Sequence, residues 1–187
     1  MKKFNLANLQ QALQNKNVIV RIIISWILII GVYTVTRFYQ IQINASTSLP
    51  QTYWFVHVGD KTLHTGDYVV AKFHDQRMVN PDDYEFVVKQ IAGMPEDIIA
   101  AHKMTVQMNL KNHLWITWIY DINGQSFFVY NRLRRNVFTP LAESNIVIPN
   151  NCYFTHGTQQ PTFDSRYKEF GFICESQIYG KAYPIFD

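Results

Sequence analysis

The chain has 187 residues, of which 48% are hydrophobic and 15% aromatic, so it can bury a core and is not an intrinsically disordered protein. Its formal net charge is +3, and its seventeen Lys and Arg residues are scattered apart from a small cluster at Asn131–Asn136. A nucleic-acid-binding protein is expected to carry a stronger basic stripe, so the composition argues against a nucleic-acid partner. The length fits one ordinary domain plus an appendage.

The first predicted element is a membrane-spanning helix. Ile22–Thr36 is an uncharged run of fifteen residues, and Val18–Val20 extends it, with Arg21 reaching towards the lipid headgroups. The extended run approaches the roughly 20 residues that span a bilayer, so residues 18–39 are predicted to form a transmembrane anchor in contact with lipid. Two alternatives fit the same run: a signal peptide cleaved near Ile43–Ala45, or a buried core helix.

The flanking charges predict the orientation of this anchor. The basic residues before the run are Lys2, Lys3, Lys16 and Arg21, and the only close one after it is Arg37. Because the cytoplasmic side of a membrane helix carries the excess of Lys and Arg, residues 1–17 are predicted to be a short cytoplasmic segment. Residues 44–187 are then predicted to form an exported domain.

Short segments rich in β-branched and aromatic residues follow Thr52, separated by Gly, Pro, Asn and Asp. They are YWFVHVG, GDYVVAKF, YEFVVKQIAG, LWITWIYDI, QSFFVYNRL, NIVIP and FGFICE. This pattern predicts a mainly β domain, and Asp121–Gly124 predicts a hairpin turn within it. The two tryptophans of His113–Tyr120 fit either lipid contact or buried strand positions.

Two serines, Ser46 and Ser48, lie shortly after the apolar run. A hydroxyl is a poor nucleophile unless a base takes its proton, so a catalytic serine here needs a base elsewhere in the chain. Lys89 lies inside the apolar segment EFVVKQIAG and is a candidate. Burial can lower the pKa of a lysine from about 10.4 towards 8, which costs roughly 3 kcal/mol. The alternative is an edge-strand lysine that opposes aggregation.

The histidines offer no comparable site. They are His57, His64, His74, His102, His113 and His156. Their spacing matches no metal-ligand pattern and marks no partner for a Ser-His-Asp triad, so each is interpreted as a surface or strand residue. The sequence therefore predicts neither a metal site nor a cofactor.

Three segments resemble the sequence boxes of the type I signal peptidase family. TFDSRYKEFGFI, at Thr162–Ile173, resembles the C-terminal box S-x-D-S-R-Y-[FW]-G, and VVKQIAGMPEDII, at Val87–Ile99, resembles the lysine box V-K-R-V-x-G-x-P-G-D. NASTSLP, at Asn44–Pro50, resembles the N-x-S-x-S-x-P opening of the conjugative-transfer branch, the TraF-type peptidases. The boxes occur in family order behind the predicted anchor. Residues 98–150 match no box and are interpreted as a variable β insertion.

The resemblance implies a signal-peptidase-like catalytic domain, a β-sheet or barrel, with a Ser/Lys dyad. Ser48 falls on the nucleophile and Lys89 on its general base. The Ser46 hydroxyl falls on the group that forms the oxyanion hole together with the Ser48 backbone N–H. Thr162 replaces a serine that orients the lysine. A supporting pair follows in the same box, either catalytic or purely structural: Asp164 and Arg166.

Some residues depart from the family pattern. Thr52 and Trp54 stand where the family often has Gly and Tyr. Glu96 replaces a glycine of the lysine box, so a left-handed turn is not expected there. Lys168 and Glu169 interrupt the usual R-Y-[FW]-G sequence.

Two cysteines, Cys152 and Cys174, bracket the C-terminal box at Thr162–Ile173, the third box in chain order. In an exported domain they either form a disulfide, which would close a loop for roughly 3 kcal/mol, or remain two buried thiols.

The resemblance implies a serine endopeptidase of the bacterial inner membrane whose catalytic domain faces the periplasm. Its substrates would be exported preproteins, above all pilin or other components of a conjugative type IV secretion system. Two alternatives remain open within this architecture: a housekeeping type I signal peptidase, and a non-catalytic membrane-anchored transfer-assembly protein. A self-cleaving DNA-damage regulator shares the dyad, but it needs a soluble DNA-binding domain where this chain has an apolar run.

Overall fold

The structure, a computed structural model, describes residues 16–44, 46–74, 83–109, 114–130, 132–133, 136–159 and 162–185. The chain divides into two compact units, Met1–Tyr39 and Gln40–Asp187.

In the first unit, the described residues form a helix, α1, at Lys16–Phe38. It has 23 residues, is long and apolar enough to cross a membrane, and has no buried residue. Its hydroxyl side chains do not leave unpaired polar groups on this apolar surface, because Ser25, Thr34 and Thr36 each donate to the carbonyl four residues back. The predicted single N-terminal apolar helix is confirmed, and it suggests a single-pass membrane anchor.

The second unit is built from strands, which confirms the predicted mainly β class. In chain order they are β1 Tyr39–Ile43, β2 Tyr53–Val58, β3 Tyr68–Phe73, β4 Glu85–Gly93, β5 Ile98–Asn109, β6 Leu114–Ile122, β7 Gln125–Tyr130, β8 Arg132–Leu133, β9 Asn136–Val137, β10 Ile146–Val147, β11 Cys152–His156, β12 Ile173–Cys174 and β13 Ile178–Pro184.

The strands form a seven-stranded sheet, in the order β1-β2-β13-β3-β4-β11-β12, and a four-stranded sheet, in the order β10-β5-β6-β7. β8 and β9 pair with each other. Strand β4 lies inside the larger sheet, between β3 and β11. The residues that the sequence left without a family box therefore build the four-stranded sheet.

Apolar clusters cover both faces of the seven-stranded sheet near its centre. Along β4, Val88 packs with Leu49 and Trp54 in one cluster, whereas Ile91 packs with Phe170 in another. A third cluster joins the four-stranded sheet to β11 through residues such as Tyr120 and Phe154. Trp54, a departure from the family pattern, is thus a core residue, and Trp118 is half-buried against the third cluster.

The sequence made a prediction for each of two turns, of which one is confirmed and the other is wrong. The predicted hairpin at Asp121–Gly124 is confirmed: Ile122 pairs with Gln125, and Asn123 and Gly124 have φ angles of 50° and 78°. The expectation that Glu96 excludes a left-handed turn is wrong, since its φ is 71°. The Glu96 N–H donates to the Ile148 carbonyl, and the Asp97 carboxylate accepts from the Met94 N–H, so tertiary hydrogen bonds hold the conformation.

The third box is held at both ends. Cys152 and Cys174 form a disulfide between directly opposed positions of β11 and β12. Lys168 and Glu169 form a turn, with the N–H groups of Phe170 and Gly171 both donating to the Tyr167 carbonyl. Phe170 is buried all the same and stacks on Phe73, so the two extra residues do not displace it from the core.

Candidate active site

The two serines lie in the short connection between β1 and β2, the serine turn. Ser48 is 5% exposed, and its hydroxyl lies 2.7 Å from the Ser46 hydroxyl. The Ser46 hydroxyl also donates to the Asn44 side-chain oxygen at 2.8 Å. The next residue, Leu49, is buried in the core, and the Ser48 carbonyl accepts from the Gln159 N–H. These contacts fix the turn on both sides of Ser48.

Lys89 lies in the middle of β4 and is 5% exposed. Because β4 has neighbours on both sides, Lys89 is not an edge-strand lysine, and that alternative is wrong. Its Nζ donates to the Phe163 carbonyl at 2.9 Å and to the Thr162 hydroxyl at 3.5 Å, and it lies 5.7 Å above the Phe170 ring. The ammonium thus ends among a carbonyl, a hydroxyl and an aromatic face.

The surroundings of Lys89 favour its neutral form. Burial lowers the pKa of Lys89 to about 8, the charge of Asp164 partly opposes that shift, and the charge of Arg166 adds to it. None of the contacts of Lys89 within the described residues is an ion pair with a carboxylate. A lysine in this state is neutral in a useful fraction near neutral pH and can accept a proton.

The Asp164–Arg166 pair is completely buried. Arg166 donates from Nε to Oδ1 at 2.7 Å and from Nη2 to Oδ2 at 2.6 Å of Asp164. Asp164 also accepts from the Gly157 N–H, and Arg166 donates to the carbonyls of Phe128 and Thr162. Burial by itself raises the pKa of Asp164, but Arg166 and the hydrogen bonds outweigh it and the net pKa is lowered. The pair joins the third box to β7 of the four-stranded sheet.

Gly157 is the point where the serine turn and the third box meet. A β-carbon built on Gly157 would lie 2.8 Å from both Ser48 Cβ and Thr162 Cγ2. Ser48 is therefore a close neighbour of the residue whose hydroxyl contacts Lys89. The sequence analysis missed Gly157, and the signal available was a lone glycine next to the Cys152–His156 strand segment.

Ser48 and Lys89 share no direct hydrogen bond among the contacts of the described residues, since the Ser48 hydroxyl contacts Ser46 and the Lys89 ammonium contacts Thr162 and Phe163. Catalytic hydrogen bonds are often long or absent before substrate binds and tighten in the complex. The structure thus brings the six candidate residues from three distant segments into one region.

His156 is another titratable residue near Lys89 and Asp164. His156 lies on β11 with its ring edge against Phe127, and burial lowers its pKa. Its Nδ1 lies 3.1 Å from the carbonyl oxygen of Gly157, the residue that lies against Ser48. Within the described residues, His, Cys, Asp and Glu side chains form no group of three that could hold a metal ion.

Comparison with known proteins places the chain in a family. None of the curated proteins matches it. A family model described as signal peptidase, peptidase S26, matches residues 14–186, which is nearly the whole chain. This family consists of serine endopeptidases that act on preproteins, in agreement with the apolar N-terminal helix and the mainly β second unit. The chain belongs to the signal peptidase family, peptidase S26.

Proposed function

We propose that this signal peptidase is a membrane-anchored Ser/Lys endopeptidase in which Ser48 is the nucleophile and Lys89 the general base. It removes leader segments from exported preproteins, and its substrates are pilin or other components of a conjugative type IV secretion system.

The observation that carries the proposal is the state of Lys89. A lysine buried in a central strand, with a pKa lowered to about 8 and with a carbonyl and a hydroxyl as its hydrogen-bond partners among the described residues, has the properties of a base. A structural lysine at such a depth is expected to pair with a carboxylate. Here the nearest buried carboxylate, Asp164, is held by Arg166 instead.

The reaction follows from these groups. Neutral Lys89 takes the hydroxyl proton of Ser48 while Ser48 Oγ bonds to the carbonyl carbon of the scissile peptide. The Ser48 N–H and the Ser46 hydroxyl stabilise the oxyanion. The carbon–nitrogen bond then breaks as the Lys89 ammonium returns the proton to the leaving amine. Water, deprotonated by Lys89 in turn, hydrolyses the Ser48 ester and restores the enzyme.

Thr162, Asp164 and Arg166 are assigned supporting roles. The Thr162 hydroxyl and the Phe163 carbonyl orient the Lys89 amine, since both are its hydrogen-bond partners. The buried ion pair fixes the third box against Phe128 of β7 and against Gly157, the residue that follows β11. This role is structural and acts on catalysis through the position of Lys89.

Sequence features support the conjugative branch and the retained anchor. The segment NASTSLP has the asparagine and the serine spacing of the TraF-type opening box. Cleavage near Ile43–Ala45 would remove β1 and Asn44, which hydrogen-bonds to Ser46, so the apolar helix acts as an anchor rather than a cleaved signal peptide. The basic residues before the helix support a cytoplasmic N-terminus and a periplasmic catalytic unit in a bacterial cell.

The dyad is tested with the full chain in detergent and with Ser48→Ala, Lys89→Ala and Lys89→Arg. Each variant is expected to lose cleavage of a precursor, because an alanine lacks the group and a guanidinium does not release its proton. Lys103→Arg is the matched control, since Lys103 is an exposed lysine on strand β5, and it is expected to retain activity. Near-wild-type activity in a folded Lys89→Arg protein would contradict the lysine-base mechanism.

The substrate class is tested by incubating the enzyme with pilin precursors and with unrelated preproteins, followed by mass measurement. Preferential cleavage of pilin precursors is expected. Equal cleavage of all preproteins would identify a housekeeping enzyme, and no cleavage of any would indicate an assembly protein. The same masses separate hydrolysis from ring closure, because a cyclic product is lighter by one water than the linear cleaved product.

The orientation is tested with a C-terminal reporter that is active only in the cytoplasm. Activity of this reporter would overturn the proposed periplasmic position of the catalytic unit.

A further inference from the structure

The serine turn contains a hydrogen-bonded side chain that the proposed mechanism does not use, Asn44. Its side chain is 8% exposed, and its backbone N–H donates to the Thr52 carbonyl at 2.8 Å across the base of the turn. Asn44 therefore occupies a fixed position beside Ser46. What it does there depends on which of its side-chain atoms is oxygen and which is nitrogen.

The backbone of Ser46 fixes that orientation. The Ser46 N–H can only donate, and it points to Asn44 Oδ1 at 3.2 Å. The Ser46 carbonyl can only accept, and it receives Asn44 Nδ2 at 3.2 Å. Rotating the amide by half a turn would place donor against donor and acceptor against acceptor. The atom that contacts the Ser46 hydroxyl at 2.8 Å is thus the oxygen, Oδ1.

The direction of the two hydroxyl bonds then follows from proton counting. Asn44 Oδ1 is an acceptor only, so the single hydrogen of the Ser46 hydroxyl is donated to it. In the 2.7 Å contact between the two serines, Ser46 Oγ must therefore accept and the Ser48 hydroxyl must donate. In the resting enzyme, the Ser48 hydroxyl therefore donates to Ser46 Oγ, and the Ser46 hydroxyl donates to Asn44 Oδ1.

This arrangement has a consequence for the oxyanion hole. While the Ser46 hydrogen is donated to Asn44, the Ser46 hydroxyl cannot donate to a substrate oxygen. When Ser48 gives its proton to Lys89, Ser46 loses the hydrogen bond that it accepted, and its hydroxyl is free to turn from Asn44 to the oxyanion. Asn44 Oδ1 keeps the Ser46 N–H as a donor after that rotation, so the turn itself does not need to move.

We propose that Asn44 is a positioning residue for the oxyanion hole: it orients the Ser46 hydroxyl in the resting enzyme and releases it to the developing oxyanion. Asn44 acts only through Ser46 and does not touch the substrate. This inference rests on the proposed function, in which Ser46 supplements the oxyanion hole.

The test is a double-mutant cycle between positions 44 and 46, measured in the full chain with a precursor that the wild type cleaves. Ser46→Ala is expected to lower kcat by about 10²-fold, the typical effect of one oxyanion donor. Asn44→Ala is expected to lower kcat roughly tenfold with KM unchanged, because it disorders that donor without removing it. The double variant is expected to be no slower than Ser46→Ala, since residues that act through one group are not additive.

Asn145→Ala is the matched control. Asn145 also accepts a backbone hydrogen bond, from the Ala101 N–H at 2.9 Å, but it caps a strand of the four-stranded sheet. It is expected to leave kcat unchanged. If Asn44→Ala does not fold, as judged by its thermal melt, Asn44→Asp replaces it, because a carboxylate has the same size and keeps an acceptor for the Ser46 N–H and hydroxyl, although it loses the hydrogen bond from Nδ2 to the Ser46 carbonyl. It holds the Ser46 proton more strongly, so kcat is expected to fall, and to fall by less in the Ser46→Ala background.

The outcomes separate the two proposals. If the wild type cleaves no precursor, or Ser48→Ala remains active, the proposed function fails and this inference fails with it. If the wild type is active and Ser48→Ala is not, the proposed function stands and the cycle decides the role of Asn44. An equal fold-loss at position 44 with and without the Ser46 hydroxyl, an unchanged kcat, or an effect on KM alone would each overturn the positioning role.

Discussion

Gly157 lies against Ser48 so closely that a β-carbon on it would come within 2.7 Å of the Ser48 carbonyl oxygen. Real β-carbons essentially never approach another heavy atom closer than 3.0 Å, and this contact is with backbone, so a side-chain rotation cannot relieve it. The same β-carbon would press on Thr162, which contacts Lys89. A glycine at this position therefore lets Ser48 and Thr162 approach each other.

Gly157→Ala is expected to reduce kcat by about 10²-fold or more, because a displacement of roughly 1 Å between reacting groups is enough for such a loss. Gly31→Ala is the control, since a β-carbon at Gly31 in helix α1 meets nothing within 4 Å. Precursor cleavage and thermal melting are measured for both. A folded Gly157→Ala protein with wild-type kcat would show that Ser48 has room to move without consequence.

The pH dependence of cleavage reports the state of Lys89. Lys89 must be neutral to act as the proposed base, and burial lowers its pKa to about 8, so kcat/KM is expected to rise with pH through about 8 and to level off above it. The measurement is kcat/KM from pH 5 to 10 with an uncharged peptide substrate. An activity that is flat across this range, or that rises only near the ordinary lysine pKa of about 10.4, would exclude Lys89 as a base of lowered pKa.

Asp164→Asn tests the buried ion pair. Leaving the charge of Arg166 buried without its counter-ion is expected to cost about 3–5 kcal/mol of unfolding free energy, measured by urea denaturation. Asp121→Asn removes the carboxylate from an exposed contact with His102 and is expected to cost no more than about 1 kcal/mol. Similar costs for the two variants would show that the buried pair contributes little to stability.

The stability difference between the wild type and Asp164→Asn is also expected to depend on pH. The pKa of Asp164 is lowered in the folded protein, so its contribution to stability is present above the unfolded value of about 3.9 and is lost as pH falls through the folded value. The stability difference between wild type and Asp164→Asn is therefore expected to persist from neutral pH to about 3.9 and to narrow below it. A difference that narrows well above that pH would contradict the lowered pKa.

Much of this architecture was predictable from local sequence. The apolar run predicted helix α1, and the alternation of β-branched and aromatic segments predicted a mainly β unit, because both patterns reflect burial over a few residues. The turn at Asp121–Gly124 was predictable because Asn and Gly tolerate positive φ angles. The candidate roles of Ser48 and Lys89, by contrast, came from a resemblance and remain proposals.

The partners that define the site geometry were not predictable. The carbonyl of Phe163 accepts from Lys89, but every residue has a carbonyl, so nothing in the sequence marks it. Gly157 lies against Ser48, which is distant from it in sequence, so this contact depends on tertiary packing. The position of β4 between β3 and β11, which buries Lys89, depends on strands that are distant in sequence.

At Glu96, tertiary contacts override the local rule that a residue with a β-carbon avoids a positive φ angle. Glu96 is exposed and has a φ of 71°, a conformation that costs a residue with a β-carbon roughly 1–2 kcal/mol. Glu96→Gly removes that strain but adds freedom to the unfolded chain, so the net stabilisation is expected to be about 0.5–1 kcal/mol. Glu143→Gly is the control: Glu143 is exposed without a positive φ, and its replacement is expected to destabilise the protein. Unfolding free energies of both variants in urea decide the matter, and a Glu96→Gly protein less stable than the wild type would mean that the Glu96 side chain stabilises the turn.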